Sequence, residues 1–141
     1  MRFILVALLG AVALSACGGY EPTSPDAADV RIRQIYDMSE AAYIHGMYSY
    51  VRVERLSGDK LIEERLADAA GTYPRFISRA AVRLDPGEYR LASFQRPCES
   101  NCGSLAAPTD ECNRLIQVSP GDAVEVTVTV RPGEGCRIEF E

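Results

Sequence analysis

Five cysteines and a single histidine, His45, carry most of the chemistry open to this chain of 141 residues. Cys98 and Cys102 form a C-x-x-x-C, with Cys112 and Cys136 downstream and Cys17 far upstream. Thiolates with an imidazole suit copper, so Cys98, Cys102 and His45 make one candidate set, for copper binding or thiol-redox exchange. Hydrolytic chemistry has less to build on. A Ser-His-Asp arrangement would have to use His45, and no serine sits in a G-x-S-x-G elbow. Glu63-Glu64 and Asp110-Glu111 are sequence neighbours, which on a strand point to opposite faces and make poor carboxylate pairs. Glu99, Asn101 and Asp110 offer oxygen ligands on one loop, the type calcium takes, but without EF-hand spacing.

An even number of cysteines beyond Cys17 fits two disulfides in an exported domain, and four thiols allow three connectivities. Cys136 shares parity with Ile138 and Phe140 and so should point inward, while Cys98 ends a strand that begins at Glu88. The preferred pairing is Cys98 with Cys136 and Cys102 with Cys112. The competing use of Cys98, Cys102 and His45 resembles the copper site of membrane-bound chaperones for cytochrome oxidase assembly. That family carries its histidine downstream, in a thioredoxin-like fold, whereas His45 lies upstream and its surroundings read as strand.

The elements that must position these groups are strands. From Ala123 to Val130, valine fills every even position and mostly polar residues the odd ones, the period of two that separates sheet faces. Arg131-Pro132-Gly133-Glu134-Gly135 is a turn cluster, and Cys136 to Phe140 alternates again, a closing hairpin. Val51 and Val53, then Ala80, Val82 and Leu84, then Tyr89 and Leu91, and Ile116 and Val118 continue the pattern between turns. Val30–Tyr36 reads as strand or short helix, and Leu61–Leu66 has helical composition. Residues 30–141 therefore read as one all-β domain, a single antiparallel β-sandwich of about seven to eight strands with two disulfides. Asp85-Pro86-Gly87-Glu88-Tyr89-Arg90-Leu91 resembles the D-x-G-x-Y-x-C stretch of immunoglobulin domains, with Leu91 in place of the cysteine. Leu84 through Leu91 is equally similar to carboxypeptidase-regulatory and prealbumin-like sandwich modules. Either likeness implies a structural Tyr89 that bonds back to the preceding chain, and neither brings a function with it.

Two surfaces are candidates for binding. Pro97–Asn113 is a long polar excursion, and long ordered loops on a rigid sandwich collect binding groups, here Glu99, Asn101 and Asp110. Arg96 through Cys112 also looks like the cysteine-rich tail of certain small bacterial lipoproteins. Tyr48 and Tyr50 share parity with Arg52 and Glu54, opposite to Val51 and Val53, which places them on an outer sheet face. A tyrosine joins a flat apolar body to a polar tip, which suits protein or carbohydrate contacts.

The N-terminus supplies the location. Arg2, the apolar run Phe3–Leu14 and the small residues Ser15 and Ala16 make an export signal too short to span a bilayer as a mature helix. Leu14-Ser15-Ala16-Cys17 resembles the lipobox of bacterial lipoproteins, which implies a signal-peptide helix over 1–16, cleavage before Cys17 and acylation of its thiol. Residues 17–29, rich in Gly, Pro, Ser and Asp, read as a flexible tether. Without Arg2 the net charge is about −6, so a nucleic-acid partner is not expected. The expectation is a nonenzymatic, lipid-anchored protein of the bacterial cell envelope, facing periplasm or exterior, with no cofactor. It would bind an envelope protein or glycan or act structurally.

Overall fold

The computed structural model describes residues 19–37, 47–66, 70–72, 75–99 and 102–141, all of them strand, turn or irregular chain. Ten strands run in the order β1 (Ala28–Asp37), β2 (Met47–Arg55), β3 (Lys60–Arg65), β4 (Ala70–Thr72), β5 (Arg75–Leu84), β6 (Gly87–Glu99), β7 (Ser104–Leu105), β8 (Thr109–Val118), β9 (Ala123–Arg131) and β10 (Gly135–Phe140). Eight are long. They form two sheets, β10-β9-β1-β5-β4 and β3-β2-β6-β8, with β7 beside the far end of β6. The pairs are antiparallel except one: β1 and β9 run parallel, with Val30 beside Val124 and Tyr36 beside Val130. Both ambiguous segments are strands, held in ladders by β5 and β9 on either side of β1 and by β2 beside β3, whatever their local propensity.

Alternation builds the core as the period of two requires. Val30, Ile32, Val51, Val53, Leu91, Val126, Val128 and Val130 are buried between the sheets, and each such side chain contributes roughly 1.5–3 kcal/mol on leaving water. Tyr89 faces the same core and its Oη donates to the Asp85 carbonyl at 2.7 Å, clamping the β5–β6 turn. Gly87 at the start of β6 packs its Cα against that ring, where a Cβ would lie 3.5 Å from the hydroxyl.

The N-terminal segment departs from the expected tether. Ala27 and Ala28 are buried, and β1 already begins at Ala28. Upstream, the Asp85 carboxylate accepts from the backbone N–H of Ser24 at 2.7 Å and of Thr23 at 3.1 Å, and from the hydroxyls of Thr23 and Tyr20 at 3.1 and 3.2 Å. The Tyr20 hydroxyl accepts in turn from the Asp85 N–H at 3.1 Å. A composition too polar to make a core of its own is ordered here by one carboxylate more than sixty residues away.

Candidate binding face and braced pole

One end of the sandwich, the braced pole, gathers the ends of β1, β6 and β9 and the starts of β2, β8 and β10. Both disulfides are here, paired differently from the sequence expectation. Cys98 bonds Cys102 and Cys112 bonds Cys136, instead of Cys98 with Cys136 and Cys102 with Cys112. Register explains why. Cys112 pairs with Ser93 in the β6–β8 ladder, and the Cys136 sulfur lies 3.6 Å from the Ser93 carbonyl oxygen, so Cys136 meets Cys112. Cys98 stands five residues further along β6, about 16 Å away at strand rise. The Cys112–Cys136 bond thus joins β8 of one sheet to β10 of the other. Beside it, Arg114 donates to the Ile138 carbonyl at 2.9 Å and its guanidinium lies 4.7 Å from the Phe140 ring centroid, closing that flank of the sandwich.

The loop candidates resolve individually. Asp110, in the left-handed region at φ 48°, accepts from the N–H of Gly133 at 3.0 Å and of Gly135 at 3.1 Å. Its carboxylate is spent on the β9–β10 turn. Glu99 accepts from the Ser104 hydroxyl at 3.0 Å. Arg96 donates to the carbonyls of Ala106 and Leu105 at 3.0 and 3.2 Å, and the Ala106 N–H bonds the Pro97 carbonyl at 2.8 Å, so the excursion folds back onto β6. Asn101, His45 and Cys17 lie outside the described residues. Among the described residues no cluster of three or more His, Cys, Asp or Glu is placed to hold a metal ion.

Beneath the pole the core turns polar. Gln34, Ser49, Ser93 and Gln95 are buried with Tyr36. Gln34 Nε2 donates to Ser49 Oγ at 2.9 Å, Ser49 Oγ donates to Gln95 Oε1 at 2.7 Å, and Tyr36 Oη contacts Ser49 Oγ at 2.8 Å and donates to Gln95 Oε1. Gln95 Nε2 has no hydrogen-bond partner among the described residues. Burial pushes the Tyr36 phenol up to about 12, only partly offset by the Ser49 hydroxyl and the nearby Gln34 side chain.

The face expected from parity is the outer surface of the β3-β2-β6-β8 sheet. Tyr48, Tyr50, Arg52 and Glu54 point outward from β2, half-buried. Tyr50 stacks on Phe94 of β6, with ring centroids 5.5 Å apart and planes within 6°. The Arg52 guanidinium lies 5.1 Å from the same Phe94 centroid, and that of Arg65 lies 3.6 Å from the Tyr48 centroid. Arg52 also reaches over Ala92 to Glu111 of β8 at 3.3 Å and pairs with Glu54 at 2.8 Å, although its Nε–H is not aligned for a hydrogen bond. Phe94 therefore points outward yet is only 2% exposed. Sequence reasoning missed this second, outer layer. Its signal was an aromatic at an outward position facing Tyr50 across the ladder, legible only once the register is known.

No protein-family model matches the chain, and no curated protein matches it.

Proposed function

We propose that the protein is a lipid-anchored component of the bacterial cell envelope that works as a nonenzymatic binding module, with the outer face of the β3-β2-β6-β8 sheet as its contact surface. The observation that carries the reading is the stacked array in which Tyr50 and Arg52 lie over Phe94 and Arg65 lies over Tyr48. Rings and guanidinium groups held by stacking lose little conformational freedom on contact, and tyrosine and arginine are the residue types that anchor protein interfaces. A protein partner is favoured over a glycan because the array combines tyrosine with arginine, the pair of residue types that anchors protein interfaces. Two disulfides suit an oxidising compartment. Among the two sandwich likenesses, the topology favours the prealbumin-like module. In the immunoglobulin order the first two strands share a sheet, whereas β1 and β2 belong to opposite sheets.

The test is capture of partners from envelope extract by the mature protein, with Tyr50→Ala and Tyr48→Ala compared with wild type. Both variants should keep the thermal transition within a few degrees and lose at least tenfold in recovery of the same partner. Unchanged recovery by both would remove this face from consideration.

The thiol-redox alternative keeps one observation of its own: Cys98 and Cys102 are bonded to each other, the oxidised form of a C-x-x-x-C dithiol. Its reduction would take two electrons and two protons from a dithiol donor, breaking the S–S bond and leaving two thiols. Titration of free thiols after equilibration with a dithiol buffer, with and without copper(I), tests it. Two thiols appearing at a potential above about −250 mV, and binding copper, favour it; resistance below about −300 mV marks a structural bond.

A further inference from the structure

The segment that would join the lipid to the domain is docked, and this fixes more than attachment. Resting on the lipidation proposed above, we infer that the domain seats on the phospholipid bilayer in one orientation, with the corner around the Arg55–Lys60 turn against the membrane and the braced pole facing away. Tyr20 is held by Asp85 at the β5–β6 turn, and only Gly18 and Gly19 separate it from Cys17. At no more than about 3.6 Å per residue, the Cα of an acylated residue 17 lies within about 11 Å of the docked Tyr20 Cα. Were the segment free to its junction with β1 at Ala28, the reach would be about 40 Å and no orientation would be imposed.

The docked end emerges at a definite corner. Gly19 and Tyr20 border a groove with Lys60, Leu61, Ala81 and Arg83, where β3 begins and β5 ends. The turn leading into Lys60 carries Leu56, which is 48% exposed and, with Leu115 on β8, one of the two large apolar side chains left in water among the described residues. Beside a membrane anchor Leu56 can enter the headgroup region, where its apolar surface leaves water. Charge does not seat this end: Lys60 pairs with Glu63 at 3.7 Å and Arg83 with Asp29 at 3.3 Å, and Asp59 lies in the same turn as Arg55, so the occupant is a bilayer held by the anchor, including an uncharged one. β6 runs thirteen residues from Gly87 at this end to Glu99 at the other, about 40 Å at strand rise. The braced pole and Tyr48, which pairs with Arg96 near the end of β6, are then carried away from the lipid.

The chain contains no tryptophan, so one introduced residue reports position. Mature acylated protein with Leu56→Trp, and separately with Glu134→Trp in the far β9–β10 turn, would be reconstituted on phosphatidylcholine vesicles with brominated acyl chains. The seated orientation predicts quenching of the Leu56→Trp emission at least threefold greater than that of Glu134→Trp. Adding Asp85→Ala, which removes every side-chain acceptor for Thr23 and Ser24 but leaves the backbone carbonyl that Tyr89 uses, should abolish the difference by releasing the segment, while the thermal transition shows that the domain is still folded. Equal quenching of the two probes in protein whose mass shows acyl groups on Cys17 overturns the orientation and leaves the anchor standing. So does a difference that survives Asp85→Ala. Protein that carries no acyl group and sediments free of vesicles overturns both.

Discussion

Removing the two disulfides one at a time should destabilise the domain unequally, and the ratio follows from where the structure places them. Cys112 and Cys136 are separated by 24 residues and Cys98 and Cys102 by 4. The chain-entropy relation assigns the first about 3.5 kcal/mol and the second about 2 kcal/mol of stabilisation through restriction of the unfolded chain. The longer bond also ties two sheets together, with Arg114 and Phe140 packed beside it, while the shorter one closes a local loop whose Cys102 is exposed. Cys112→Ala/Cys136→Ala should therefore lower the midpoint of thermal unfolding by about 15 °C, for roughly 110 residues of folded chain, and Cys98→Ala/Cys102→Ala by about 8 °C or less. Urea titration followed by circular dichroism gives the free energies independently of the melting data. Equal losses, or a larger loss at the short loop, would refute the assignment of the cross-sheet staple. Nonreducing peptide mapping that recovered Cys98 joined to Cys136 would refute it directly.

Three further outcomes are expected. The Tyr36 phenol is held up to about 12 against an ordinary value of 10 because burial penalises the phenolate. Its neutral form stabilises the fold fully below pH 10, and about 2–3 kcal/mol is lost as pH rises from 10 to 12; Tyr36→Phe should reduce the slope in urea titrations at pH 9 to 11.5, leaving the part due to Tyr89, which burial also raises to about 12. Asp110→Ala should cost about 1–3 kcal/mol by leaving the Gly133 and Gly135 N–H groups without their carboxylate acceptor, and Asp110→Asn should recover part of it; no loss in urea titration would contradict that role. The Asp85 carboxyl is held below its ordinary 3.8, first by the Ser24 and then by the Thr23 backbone N–H. The docked N-terminal segment is thus fully favoured above that value and released as pH falls through the lower folded one; the Thr23 and Ser24 amide resonances should shift with a midpoint below 3.8, and a midpoint above it would contradict the docking.

The strands were legible wherever burial alternates. Val124 to Val130, Tyr89 with Leu91, and Cys136 with Ile138 and Phe140 declare their inner faces by parity alone, and Tyr48 and Tyr50 declare their outer one. The parallel β1–β9 pair was not legible, because nothing local in Val30–Tyr36 or Val124–Val130 specifies a neighbour more than ninety residues away. The cysteine pairing failed for the same reason. Facing the core is readable from parity, but which strand of the opposite sheet stands across from Cys136 depends on the global register. The composition of residues 19–27 describes a chain that cannot fold alone, and it is silent about Asp85 waiting at the β5–β6 turn. Asp110 looked like a free loop carboxylate for the same reason: the glycine N–H groups that use it arrive more than twenty residues later.

The account depends most on acylation at position 17. Metabolic labelling with radioactive palmitate in a bacterial host, followed by intact-mass analysis, tests it directly. Label in the wild-type protein, a mature form beginning at Cys17 and no label in Cys17→Ser are the predicted result. An unlabelled wild-type product that retains residues 1–16 would contradict it.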